Sequence, residues 1–353
     1  MPVHRIGLVV HGGKPTAVVA AERVRAWAGS RGIGVADVDV WEDITGRTRA
    51  SPQQEAASAG DPDLIVTVGG DGTLLRGARV ATVTGAAVLG VDVGRVGFLT
   101  TVELVDLEEA LDAVHTGSFH IEPRLTLTAR ASRPLHVPDD LGVLLRYGRG
   151  PAPAPPTVHD SLPDQVGWGV AQDVVALNDV VFEKLSRDRQ ASLGLYVGGQ
   201  LVASYSADAM IVASSTGSTA YSFAAGGPIL FPRLQALVVT PVAAHMVFDR
   251  SLVVPPDEAV AVRVLDRSGQ VVVTVDGQLA GVLDPGDWVG VYAAPHSCRL
   301  VRLGPADFPG RLRDRFGLVD AAAAAADGNP PLTYRPDVPV PDDLRHLYLP
   351  PLT

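Results

Sequence analysis

The chain has 353 residues, 46% of them hydrophobic. At roughly 100–200 residues per domain that predicts two domains with a substantial core. A formal net charge of −10 argues against a nucleic-acid partner, which leaves a basic footprint, but leaves room for an anionic nucleotide in a locally positive pocket. The single cysteine, Cys298, excludes an intrachain disulfide and a multi-cysteine zinc site.

The opening segment MPVHRIGLVVHGGK carries only a strand-length apolar run, Ile6 to Val10, which fits no signal peptide. His11-Gly12-Gly13 ends that strand and Lys14-Pro15 opens a helix with Ala17, Ala20, Val24 and Trp27 on one face. Gly29 and Gly32 stop it, and Gly34 to Trp41 reads as a second strand. Leu64 to Val68 is apolar or β-branched throughout, short and unbroken, as a strand buried on both faces of a parallel sheet would be. Gly69-Gly70-Asp71-Gly72-Thr73 breaks it, and a helix runs from Leu74 to about Val83. Ala87 to Val91 is another strand, leading into Asp92 and the glycine-containing turn up to Leu99. Leu104, Leu107, Leu111 and Val114 mark an amphipathic helix with acidic residues toward its start, as the helix dipole favours. Strands alternating with helices give a parallel sheet, and ligands of such sheets bind beyond the carboxyl ends of the strands. Asp71 and Asp92 both fall at such ends.

Past Ile121 the pattern changes to alternation, at Leu125, Leu127 and Ala129. Residues 131–170, rich in Pro, Gly and Asp, read as a mobile excursion. Strand signals resume at Asp173 to Leu177 and Val180 to Phe182. Leu193 to Val197 and Leu201 to Ala203 flank Gly198-Gly199 as a hairpin, and Val271 to Val275 turns at Asp276-Gly277. The apolar region Leu234 to Phe248 is broken by Pro241 and too short to cross a bilayer. A cytoplasmic protein without a membrane partner is expected. FPGRLRDRFGL, Phe308 to Leu318, is a basic helix or helical turn, while the Ala321–Ala326 run and the proline-rich tail after Gly328 read as peripheral. The expected fold is α/β plus all-β: a Rossmann-like parallel-sheet domain (1–122), an antiparallel β-sandwich domain (123–304), and a C-terminal helix packing back on the first domain with a peripheral tail (305–353).

The turn at Gly69 to Thr73 aims backbone N–H groups and a helix N-terminus at one spot, which suits phosphate. Its glycines permit positive φ and close ligand approach. Asp71 is the functional side chain held there, and no lysine follows, so this is not the GxxxxGK[ST] phosphate loop. An ordinary tight turn is the plain alternative. Ser214 to Pro228, SSTGSTAYSFAAGGP, follows the strand Met210 to Ala213 and offers hydroxyls and a flat aromatic to a nucleoside, or else is a Ser/Thr-rich surface loop. Asn178-Asp179 reads as either a plain turn or a polar site. At Thr240-Pro241 with His245, a structural histidine is the plain alternative.

In this order the pieces resemble the NAD kinase family, ATP- or polyphosphate-dependent, over roughly residues 5–130 and 172–318. GGDGT is shared with diacylglycerol kinase, sphingoid kinase and phosphofructokinase relatives. TGSTAY with AGGP, Leu177-Asn178-Asp179, the Thr240-Pro241…His245 segment and Val275-Asp276-Gly277-Gln278 narrow the match. The resemblance implies transfer of the γ-phosphoryl group of ATP to the 2′-hydroxyl of the adenosine ribose of NAD, giving NADP. It further implies Mg²⁺ or another divalent cation, and a homodimer or homotetramer with pockets near subunit contacts.

Carried over by position, Asp71 matches the catalytic aspartate that receives or orients the 2′-hydroxyl proton, with Gly70, Gly72 and Thr73 beside it. Asn178 and Asp179 match the pair that holds a ribose, and Asp208 the aspartate near the nicotinamide end. Thr216 and the run Thr219, Ala220, Tyr221, Ser222, Phe223 and Ala224 match the nucleoside-binding loop, while Arg76, Arg189 and Gln278 match further pocket positions. No side chain is assigned as a dedicated metal ligand. Phosphoryl transfer through a loose transition state depends on positioning and charge neutralisation more than on a strong base. A carboxylate of ordinary pKa, about 3.9, is ionised at neutral pH and can accept a hydroxyl proton late in the reaction. Mg²⁺ prefers oxygen ligands and substrate phosphates.

The sequence departs from the family pattern at Asp92 (usually Asn), Asp179 (usually Glu), Ala207-Asp208-Ala209 (usually Gly-Asp-Gly) and Ser215 (usually Pro), and in the 131–170 insertion. Asp92 puts a negative charge near the phosphates. These departures leave open a paralogue acting on another nucleotide or nucleoside, or a non-catalytic dinucleotide sensor.

Overall fold

The computed structural model describes residues 3–38, 51–94, 97–138, 167–304, 307–318 and 341–346. It forms two compact units, Met1–Val301 and Arg302–Thr353. The first unit begins β1 (Arg5–Val10), α1 (Pro15–Gly29), β2 (Gly34–Asp37), α2 (Pro52–Ser58), β3 (Leu64–Gly69), α3 (Asp71–Thr84), β4 (Ala87–Asp92), β5 (Val102–Glu103), α4 (Leu107–Thr116) and β6 (His120–Arg124). There follow β7 (Leu127–Ala131), β8 (Val170–Ala176), β9 (Asp179–Lys184), β10 (Ala191–Val197), β11 (Gln200–Ala207), β12 (Ala209–Ser214) and the short helix α5 (Tyr221–Ala224). The strands β13 (Leu237–Val242), β14 (Leu252–Val254), β15 (Val260–Val264), β16 (Val271–Val275), β17 (Gln278–Leu283), β18 (Trp288–Ala293) and β19 (Cys298–Arg302) complete it.

The first sheet runs β2-β1-β3-β4-β19-β6, with β5 paired to β4. Pairing is parallel from β2 through β1 and β3 to β4, and again between β4 and β19. All six residues of β3 are buried, and their alternation divides them between two cores. Leu64, Val66 and Val68 meet Ala17, Val24 and Trp27 of α1 and Leu107 and Leu111 of α4, whereas Ile65 meets Leu74, Ala78 and Ala81 of α3 and Ala56 of α2. Burying each such aliphatic side chain contributes about 1.5–3 kcal/mol. That two-sided burial is why the strand reads as an unbroken apolar run. Because β2 and β3 flank β1 on opposite sides, the chain reverses its winding between β1 and β3. Ligands of open α/β sheets gather at the carboxyl edge of such a switch point.

Several boundaries differ from the sequence expectation. The second strand closes at Asp37, and residues 39–41 of the expected span lie outside the described residues. The helix after GGDGT begins at Asp71 rather than Leu74 and ends at Gly85 in the left-handed conformation. α2 was not anticipated, although its capping signal is local. Ser51 Oγ accepts from the Gln54 amide at 3.2 Å, while the Ser51 amide donates to Gln54 Oε1 at 2.9 Å. Within the expected excursion, β7 reaches Ala131 and β8 starts at Val170, and residues 139–166 lie outside the described residues. The Ala321–Ala326 run and most of the tail also lie outside them.

Two antiparallel sheets, β11-β10-β15-β18-β7-β8 and β14-β13-β12-β9-β16-β17, make the expected sandwich. Leu127, Leu193, Tyr205 and Val262 of the first meet Phe182, Met210, Val239 and Val273 of the second. The hairpin at Gly198-Gly199 joins β10 and β11, with Val197 opposite Gln200. Asp276-Gly277 joins β16 to β17 with φ of 47° and 73°, the two positive values that the favoured two-residue turn requires. Strand β19, inside the range expected for the sandwich, joins the parallel sheet instead. In the second unit, the helix α6 (Phe308–Phe316) is capped by the Asp307 carboxylate, which accepts from the Gly310 amide at 2.8 Å. Among the described residues no helix is long and apolar enough to cross a membrane.

Candidate functional site

The carboxyl edge of the first sheet holds the GGDGT turn. Gly70 is extended and its carbonyl accepts from the amides of Thr73 and Leu74, at 2.9 and 3.1 Å, starting α3 with Asp71 as its first residue. The Asp71 carboxylate reaches across to the loop after β4. There it accepts from the amides of Phe98 (2.9 Å), Leu99 (3.1 Å) and Thr100 (3.2 Å), and Thr100 Oγ1 lies 3.4 Å away. A side chain at Gly97 would collide with that carboxylate, so only glycine permits this approach. Thr73 is buried against Gly69 and supports the turn from beneath, with no hydrogen-bond partner for its hydroxyl among the described residues.

Asp92, at the end of β4, is 4% exposed. Its carboxylate accepts from the Gly94 amide at 2.6 Å and from Thr100 Oγ1 at 2.9 Å. The two strand-end carboxylates therefore converge on one hydroxyl, and Thr100 gives its single proton at the shorter distance, to Asp92. Asp92 caps its own turn. Asp92→Asn keeps a carbonyl oxygen for one of those donors, so we expect steady-state kinetics to show kcat within about tenfold of the parent, well short of the roughly 10²–10⁴ of an acid–base group. A collapse of kcat would overturn the capping role.

The second cluster joins three loops of the sandwich. Asp276 accepts from the amides of Leu177 (2.8 Å), Asn178 (2.7 Å) and Asp179 (3.1 Å), which fixes the entry to β9. The Asn178 carbonyl accepts from the Ser214 amide at 2.8 Å, Ser214 Oγ donates to the Leu177 carbonyl at 2.5 Å, and Gly217 packs so tightly on Asn178 that no side chain fits there. Thr216 accepts from Nη1 of the buried Arg124 at 3.2 Å, and Arg124 Nη2 also donates to Glu122 at 3.0 Å. Burial pushes the Asp179 carboxyl up to about 7, with the nearby Asp276 adding to the rise. Asp276 is pushed up to about 6 by burial, opposed by its three amide donors and by the charge of Arg79. Asp179 therefore holds its proton well above the usual carboxylate range, so this corner presents less negative charge than two aspartates suggest.

These clusters meet through Leu177, which packs in one core with Leu74 of α3 and with Leu99. Gly70, Asp71 and Gly72 lie at the turn into α3, Asn178, Asp179 and Thr216 lie in the second cluster, and Arg76 is half-buried further along α3. Within the nucleoside loop, Thr219 and Ala220 form the turn into α5, Tyr221 is 41% and Phe223 37% exposed, and Ala224 ends the helix. Ser222 is instead buried, its hydroxyl 2.9 Å from that of Thr240, which makes it and the Thr240-Pro241 segment structural. His245 is exposed. Gln278 starts β17 beside the Asp276 turn. Asp208 and Arg189 are not brought to this cluster within one chain. Asp208 is paired with Lys184 Nζ at 2.6 Å, at the opposite end of β9 from Asp179, and Arg189 is exposed in the loop after that end. Five residue steps of strand separate the ends by roughly 16 Å. Ser215, where a proline was expected, bonds the Leu234 carbonyl and holds the following loop. Missed from sequence were the amides of Phe98 to Thr100, which carry no side-chain signal, and Arg124, whose only mark is a charge inside an alternating strand.

Family models for the ATP-NAD kinase N-terminal and C-terminal domains match residues 6–119 and 177–303. NAD kinase 1 of Streptomyces coelicolor is 58% identical over 350 residues, 99% of this chain and 96% of the relative. The chain belongs to the ATP-NAD kinase family. That alignment spans nearly the whole chain, so the 131–170 segment and the tail, which the family models leave out, lie within it. Two solved structures share the fold at 21% identity. Yeast NADH kinase complexed with NADH has a TM-score of 0.69, covering 94% of this chain and 91% of that one. An NAD kinase from Archaeoglobus fulgidus in complex with ATP has a TM-score of 0.59, covering 89% and 96%.

Proposed function

We infer that the chain transfers the γ-phosphoryl group of ATP to the 2′-hydroxyl of the adenosine ribose of NAD, giving NADP. The observation that carries this reading is the Asp71 carboxylate, held at the GGDGT turn by three backbone amides, in a chain 58% identical to NAD kinase 1 over nearly its full length. A carboxylate offers about four acceptor positions. The amides of Phe98, Leu99 and Thr100 occupy three, which leaves one for the ribose hydroxyl. Held this way, Asp71 orients the hydroxyl for in-line attack and takes its proton as the new bond forms, while the amides of the glycine turn face the donor's phosphates.

A divalent cation such as Mg²⁺ fits the donor set in one manner. Among the described residues no group of three or more His, Cys, Asp or Glu could cage an ion. The Asp92 carboxylate, which among the described residues accepts from only the Gly94 amide and Thr100 Oγ1, together with substrate phosphate oxygens is the arrangement Mg²⁺ favours, and the ion would neutralise phosphate charge there. Asn178 and Asp179 are assigned to a ribose and Tyr221 to the flat face of a base. Asp208 and Arg189, remote from this cluster in one chain, favour a homodimer or homotetramer in which they serve a neighbouring copy's pocket. A monomer by light scattering at micromolar concentration would contradict that assembly. The proposed setting is the cytoplasm.

The test is incubation of the purified chain with Mg²⁺, ATP and NAD, reading NADP through an NADP-specific dehydrogenase. NADP above the no-enzyme control is expected. Its absence across varied metals, and with polyphosphate as donor, would overturn the reading.

A further inference from the structure

The GGDGT turn lacks the lysine that other phosphate loops carry in their own sequence, yet the fold brings one to the same place from a different loop. We propose that Lys14 is the cation that receives the polyphosphate chain of the phosphoryl donor, a specificity-determining contact supplied by the β1–α1 loop. This rests on the phosphotransfer reading of the same site.

The loop is tied to the strand that carries GGDGT. The His11 amide donates to the Val68 carbonyl at 2.9 Å, one residue before the Gly69-Gly70 turn. Inside the loop the Gly13 amide donates to His11 Nδ1 at 3.2 Å, and the Lys14 amide donates to the His11 carbonyl at 3.2 Å. Lys14 is thereby fixed at the carboxyl edge of β1, on one side of the switch point, with GGDGT on the other. Its side chain extends toward β4. Nζ lies 3.8 Å from the position a Cβ would take on Gly94, and Asp92 Oδ1 lies 3.6 Å from that same position. Since β3 stands between β1 and β4, the lysine stem passes over the end of β3, the place where the phosphate-facing amides of the turn open.

Charge supports the same assignment. Asp71 and Asp92 both face this edge, so a phosphate chain arriving there needs a cation close by. Lys14 has no hydrogen bond or ion pair for its ammonium among the described residues, which leaves all three of its donors available. It also stands at the N-cap of α1, a 15-residue helix with no side-chain cap and no acidic residue in its first turn. The positive end of that helix dipole is therefore uncompensated at the loop that carries Lys14.

Two variants of the full chain test this: Lys14→Met, which keeps the stem and removes the charge, and Lys14→Arg, which restores it. With Mg-ATP and NAD varied in turn, Lys14→Met is expected to raise KM for ATP roughly 10- to 100-fold, the scale of one charge-assisted hydrogen bond. KM for NAD and the melting temperature are expected to stay unchanged, and Lys14→Arg to recover most of the loss. Calorimetric titration with inorganic tripolyphosphate should show the same weakening in Lys14→Met. It reads the phosphate contact even if NAD were not the acceptor, whereas NADP formation by the parent chain tests the parent reading. An unchanged KM for ATP, a loss that falls on NAD, an equal loss on both with a lowered melting temperature, or unaltered tripolyphosphate binding would each overturn the role of Lys14.

Discussion

Asp71→Asn is expected to lower kcat by roughly 10²–10⁴, the range for a positioned acid–base group, while the fold and NAD binding persist. The structure adds a second reason for the loss. The parent carboxylate accepts from three amides through both oxygens. Asparagine has one carbonyl oxygen, so its NH₂ must turn toward at least one of those N–H groups, and the loop 97–100 loosens its grip on the side chain. Thr100 remains anchored through Asp92 Oδ2 at 2.9 Å, which limits the disturbance to the Asp71 side of the loop. Coupled NADP formation reads kcat, circular dichroism the fold, and calorimetry the binding of NAD. An Asp71→Asn enzyme within tenfold of the parent, with Asp92→Asn collapsed instead, would show that the catalytic carboxylate sits at the end of β4.

The second large effect is on stability. Asp276→Ala removes the acceptor of three backbone amides at 2.7–3.1 Å. Each donor left unsatisfied costs about 1–3 kcal/mol, so a loss of about 3 kcal/mol or more is expected from urea melts. The parent should also carry a pH signature. Asp276 and Asp179 are raised to about 6 and about 7, against about 3.9 in the unfolded chain. Between those values the folded state binds more protons than the unfolded one. Stability is therefore highest below about pH 4 of this window and falls as pH rises to about 7, where the contribution levels off. Asp179→Asn keeps the backbone anchor and removes one titrating group, so it should flatten that slope. An unchanged slope in Asp179→Asn, or stability rising across the window, would sink this account.

Much of the site follows from residue types alone. β3 declares itself by five apolar or β-branched residues in a row, because a central parallel strand is buried on both faces. The placement of Asp71 and Asp92 follows from the rule that such strands open their ligand site at their carboxyl ends, and Thr100 bonds them both. What escaped the sequence was pairing at long range. The amides of Phe98 and Leu99 lie 27 and 28 residues from the carboxylate they hold, and Arg124 lies 92 from Thr216. Backbone donors have no residue-type signature, and a buried arginine looks like any charge on a half-exposed strand. The short strand β19, Cys298–Arg302, is likewise indistinguishable in sequence from the sandwich strands before it, since only its partner, β4, decides which sheet it enters. The separation of Asp208 from Asp179 needed the direction of β9, which the motif spacing does not contain.

The return of β19 to the first sheet makes the sandwich an insertion rather than an appendage. The chain leaves through residues 125–126 after β6 and comes back through residues 294–297 before β19, and these two strands are neighbours in the sheet. The links are stitched together where they cross. The Ala294 amide donates to the Thr126 carbonyl at 2.8 Å, and Thr126 Oγ1 donates to the His296 carbonyl at 2.5 Å. These bonds hold the two links side by side, so the sandwich is joined to the parallel sheet by a paired ribbon rather than by two independent strands.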